Sequence, residues 1–134
     1  MKKSNITNRL ILTELLLPLD FLLRLSGRAY EKYMRNKIYL HALNIRKANE
    51  MIYQLTIDKI HFIPDEIQKD CIELLNHYDC WLLQFKEEEQ KRKPALTDEF
   101  VFYRVDDQIA YPRLSEQHIF ETIKKLQTRK TKKS

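Results

Sequence analysis

Asp70, Glu73 and His77 stand at positions i, i+3 and i+7. On a helix that spacing brings two carboxylates and an imidazole to one face, a donor set able to contribute to a divalent metal site. A di-metal bundle asks for a matching Glu-x-x-His on a second helix, and the sequence contains none. The spacing therefore reads as a solvated polar face, with no metal and no other cofactor expected. Cys71 and Cys80 lie nine residues apart on one predicted helix, so they point to opposite sides and cannot bridge each other. Without an activating base in their pattern they read as reduced, largely buried thiols. The chain has a single glycine, Gly27, so no glycine-rich phosphate loop can form. Tyr78, Trp81 and Phe85 follow helical neighbour spacing and read as core or partner-facing aromatics rather than a cofactor box.

Charge points elsewhere. Arg28, Lys32, Arg35, Tyr39 and Arg46 fall at helical neighbour spacing, and between Arg24 and Lys47 the only acid is Glu31. If one helix runs through this stretch, the five form a stripe that can meet phosphates through its cations and stack a base on its tyrosine. The opposing reading is a solvated face whose arginines pair with Glu50, Glu87, Glu88 or Glu89. Arg129, Lys130, Lys132 and Lys133 add a basic tail that could join the same surface. The net charge of +5 says less than it seems. Lys2, Lys3 and those four tail residues carry six positive charges, and removing them leaves −1 for the rest.

Arg35-Asn36, then four residues, then His41 resembles the arginine, polar residue, histidine signature of HEPN-domain ribonucleases. The resemblance covers seven residues. It implies a dimeric, metal-independent RNA cleavage in which His41 handles the proton of the 2′-hydroxyl and Arg35 stabilises phosphate charge. Against it, six steps of about 100° on a continuous helix separate Arg35 and His41 by roughly 120°. His41 also falls in an apolar seam, where a histidine is expected as a buried polar residue that sets register.

The elements that position these residues follow from periodicity. Apolar residues recur at gaps of four and three along Met34, Ile38, His41, Ile45, Ala48, Ile52 and Leu55, and along Ile67, Cys71, Leu74, Tyr78, Trp81 and Phe85. The expectation is an all-α bundle of about four helices forming a single domain over residues 1–128, followed by a disordered basic tail over 129–134. The first helix should run from Thr7 to Leu25, with a kink or break near Leu17 imposed by Pro18 and a stop at Ser26-Gly27. The second should run from Arg28 to Ile60 and the third from Pro64 to Lys93, joined as a long antiparallel hairpin. A small aromatic-rich hairpin or loop follows over 100–111, and a last helix runs from Ser115 to Gln127.

No uncharged stretch is long enough to cross a membrane. Glu14 inside the apolar run near the start, with no small-residue site after it, argues against a secretory signal and for a cytoplasmic protein. The first helix is apolar on almost every side, which places Leu16, Leu19, Leu22 and Leu23 at an interface with a protein partner or a second copy. In size, charge and helical plan the chain is similar to small basic accessory proteins of bacterial reverse-transcriptase and defence systems. The expected function is thus a non-enzymatic adaptor that binds a protein partner, with RNA or DNA as a second candidate ligand of its basic face, and a HEPN-like ribonuclease or its inactive relative is the alternative.

Overall fold

A computed structural model of the chain describes residues 7–102 and 111–133. The described chain is all-α, with four helical rods packed on one another. The first rod opens with Thr7, whose hydroxyl accepts from the Leu10 amide at 3.2 Å and so satisfies one free donor of α1 (Asn8–Ile11). The ladder then widens into a π-turn over Leu12–Leu16, with the Leu17 amide reaching back to the Leu12 carbonyl. This is how the chain answers Pro18. The shifted register puts the proline in the first turn of α2 (Leu17–Arg35), where a missing N–H costs little. The expected break near Leu17 is therefore a π-turn inside a continuing helix.

The expected stop at Ser26-Gly27 does not occur. Ser26 is buried and donates its hydroxyl to Asn49 Oδ1 at 2.8 Å, a tertiary bond rather than a cap. Gly27 keeps an ordinary helical backbone and faces open space. Packing of the flanking turns carries the helix through it, against a propensity cost of about 1 kcal/mol. The rod ends at Asn36, which is extended (φ −152°, ψ 100°). The second rod, α3, accordingly spans Tyr39–Asp58, a much shorter helix than one running from Arg28 to Ile60.

Two short 3₁₀ turns, Ile60–Phe62 and Asp65–Ile67, carry the chain around Pro64 into α4 (Gln68–Arg92). Lys93 ends α4 in the left-handed region (φ 48°, ψ 58°), its amide held by the Glu89 carbonyl at 2.9 Å. The last rod, α5, spans Arg113–Lys133. Its backbone starts ahead of Ser115 and continues through the positions expected to form an unstructured tail. Of the expected aromatic hairpin, residues 103–110 lie outside the described residues. Phe100–Phe102 form no strand, and the segment is pinned by an isolated bridge between Ile38 and Glu99.

The rods alternate in direction. Ser26 of α2 meets Asn49 of α3, Tyr39 and Arg46 in the first half of α3 meet Glu89 near the end of α4, and Asp70 of α4 and Glu66 of the 3₁₀ turn before it meet His118 and Lys125 of α5. The core divides in two. One half packs Leu12 to Leu23 against Ile52, Leu74, Ile119 and Ile123 with all four rods present. In the other, Tyr33, Ala42, Ile45 and Phe85 close around Phe100 and Phe102, so an extended aromatic segment stands where a fourth helix would otherwise be. The turn that leads into this segment is used as well: the carbonyls of Asp98 and Leu96 accept from the first-turn amides of Tyr39 and Leu40, each at 2.9 Å.

Leu16, Leu19, Leu22 and Leu23 are 0–8% exposed. They are not a partner face, because the chain's own α3, α4 and α5 cover them. The second apolar seam holds from Ile67 to Phe85, with Trp81 half-buried. The first holds in its middle, where Ile45, Ala48 and Ile52 are buried, and fails at its ends: Met34 is exposed, Ile38, His41 and Leu55 are partly exposed, and Ala42, Asn49 and Thr56 complete the buried side of α3. Among the described residues no helix is long and apolar enough to cross a membrane.

Candidate nucleic-acid interface

The break at Asn36–Ile38 divides the predicted stripe. Arg28, Lys32 and Arg35 stay on α2, while Tyr39 and Arg46 begin a different helix and turn inward. Tyr39 packs its ring on Phe85 and Phe100, and its hydroxyl donates to Glu89. Burial, reinforced by that carboxylate, pushes its phenol above the usual range. Arg46 Nη1 lies 3.2 Å from the same Glu89, its Nε is 4.0 Å from Glu50, and its guanidinium covers the Phe85 ring at 5.3 Å. Both side chains therefore hold α3 against α4, and neither is free to meet a ligand. The pairing with Glu89 and Glu50 is the one the opposing reading named.

What remains is the outer face of α2. At 100° per residue, Leu17, Phe21, Arg28, Lys32 and Arg35 fall within an arc of about 60°. All five are exposed, and Phe21, at 64%, is among the most exposed large apolar side chains of the described chain. Arg28, Lys32 and Arg35 make no hydrogen bond or ion pair among the described residues. Arg24, on the same side, differs: it pairs with Asp20 at 3.2 Å and lies over the Phe120 ring of α5, so it is structural. Glu31 is the nearest acid in sequence and stands at the edge of the face. The result is three unneutralised cations spread over about 10 Å of helix axis, preceded two turns earlier by a bare phenyl ring.

Phe21 was not legible as part of this surface, since a helix apolar on nearly all sides gives no contrast by which to choose its outer face. The available signal was the arc it shares with Arg28, Lys32 and Arg35. The remaining cations, Arg129, Lys130, Lys132 and Lys133, stand on the last turns of α5, with their side chains outside the described residues.

The ribonuclease residues are placed differently than a continuous helix would place them. Arg35 is exposed on the last turn of α2, and His41 sits on the first turn of α3 across the extended Asn36–Ile38 link. The 120° separation therefore does not apply. His41 is half-buried rather than in the core, and its Nδ1 is 2.8 Å from the Asn36 carbonyl oxygen, a bond that ties it to the link.

Asp70, Glu73 and His77 do not form a donor set. Asp70 pairs with His118, Glu73 is exposed, and His77 packs edge-on against Tyr111. Among the described residues no three His, Cys, Asp or Glu side chains come together as a metal-holding group. Cys71 is buried in the core, and burial pushes its thiol up to about 12, so it stays protonated and unreactive at neutral pH.

A polar layer crosses the centre of the bundle where the two core halves meet. It comprises the buried Ser26–Asn49 bond and, beside it, Tyr78 within 3.4 Å of the Tyr111 hydroxyl, which donates to Glu116 at 2.6 Å. Burial raises the Tyr78 phenol to about 12 and the Tyr111 phenol higher still. These hydroxyls act as neutral hydrogen-bonding groups that fix how the four rods align. Comparison with protein-family models, curated proteins and solved structures gives no match.

Proposed function

We propose that this chain is a non-enzymatic helical adaptor that holds nucleic acid on the outer face of α2. The observation that carries the reading is the set of Arg28, Lys32 and Arg35: exposed, consecutive along one face and without an internal acceptor. Cations that stabilise a fold are usually found beside acids, as Arg46 is beside Glu89. These three have no such role in the fold, and a phosphate backbone supplies acceptors at comparable intervals. The four leucines that first pointed to a protein partner, Leu16, Leu19, Leu22 and Leu23, no longer do so, because they are covered from within.

The test is a titration of a fluorescein-labelled twelve-nucleotide oligouridylate, read by fluorescence anisotropy at low salt. The unmodified chain should bind it, and the combined Arg28→Glu, Lys32→Glu, Arg35→Glu variant should bind at least about a hundredfold more weakly while keeping its helical circular dichroism. Equal binding by the two proteins would refute the assignment. The oligonucleotide should be recovered intact after incubation in EDTA. Cleavage that stops in His41→Ala would replace the adaptor with the ribonuclease.

A further inference from the structure

From the exposed ring on the same face we infer that the bound species is single-stranded, with one base stacked on Phe21 while Arg28, Lys32 and Arg35 hold the adjoining phosphates. The inference rests on the reading of α2 as a nucleic-acid surface. Phe21 makes no ring contact among the described residues and is flanked along the helix by Leu17 and Leu25, both exposed but less so than the ring. Together they make an apolar ridge one side chain wide. A standard protein interface needs roughly 800 Å² from each partner, and a ridge this narrow with three cations at one end offers little of the apolar core that such an interface has. A nucleobase fits it better, since its π-face is about the size of a phenyl ring and its phosphates fall toward the cationic end.

Duplex geometry does not satisfy the same set. In a duplex the base faces are stacked on one another, so a phenyl standing on a straight helix would meet groove edges or sugar, and only the phosphate contacts would remain. An unpaired strand can turn one base out onto the ring at little cost.

The test compares a twelve-nucleotide single strand with the blunt duplex made from it, for the unmodified chain, Phe21→Ala and Phe21→Trp. The single strand should bind the unmodified chain at least about tenfold more tightly than the duplex. Phe21→Ala should weaken single-strand binding by about tenfold to a hundredfold and leave duplex binding unchanged. Phe21→Trp should restore it, with added indole fluorescence that is quenched on binding. Equal affinity for both forms, or single-strand binding unmoved by Phe21→Ala, would overturn the stacking inference, and the reading of α2 would survive if the triple charge reversal still abolished binding. Absence of binding by either form at low salt would overturn both.

Discussion

Replacing Leu16 and Leu23 together with glutamate should unfold the chain. Leu16 is 0% and Leu23 3% exposed, within the cluster that includes Ile52, Leu74, Ile119 and Ile123. Each substitution forfeits about 2–3 kcal/mol of apolar burial and puts a carboxylate into a cluster of apolar side chains, at a further cost of several kcal/mol. Two such changes rival the roughly 5–15 kcal/mol that holds a domain of this size together. A partner-facing helix would behave in the opposite way, tolerating the glutamates and losing only the partner. Far-UV circular dichroism and a urea titration decide between them. Loss of the cooperative transition is expected, and a variant that keeps both its helicity and its transition would mean that these leucines are covered from outside the chain.

Arg46→Glu separates a structural cation from a binding one. It places a third carboxylate between Glu89 and Glu50 and removes the guanidinium from the Phe85 ring. Arg46 and Glu89 are each less than a third exposed, so screening is incomplete, and a loss of about 2–4 kcal/mol is expected, below the cost of a fully buried pair. Oligonucleotide affinity, measured at a temperature where the variant is still folded, should change little. Had Arg46 belonged to the binding stripe, the order would reverse, with a large loss of affinity and a small loss of stability. Thermal melts and anisotropy on the same preparation read both quantities.

The helical architecture was legible because its signal is periodic and repeated. The seam from Ile67 to Phe85 places the buried side of α4 almost residue by residue, and Pro64 and Pro94 bracket that helix. The boundary between the first two rods was not legible. Ser26-Gly27 carries the local signature of a stop, yet Ser26 finds its partner in Asn49, far away in sequence. The true break at Asn36–Ile38 is stabilised by Asp98, Glu99 and Phe100, which sequence order does not place nearby. That one displaced boundary moved Tyr39 and Arg46 off the binding face and His41 out of the seam. Of the candidate surface, Arg28, Lys32 and Arg35 could be found from spacing alone. Phe21 could not, because an all-apolar helix does not reveal which side it turns to solvent.

The most direct test of the nucleic-acid surface is the salt dependence of affinity for a single-stranded twelve-mer between 20 and 200 mM salt. Three phosphates neutralised by Arg28, Lys32 and Arg35 predict a plot of log K against log salt concentration with a slope of about −2, at roughly 0.7 per contact on a single strand. The triple charge reversal should abolish this dependence together with the binding. Affinity that does not change with salt, or no binding even at the lowest concentration, would contradict the account.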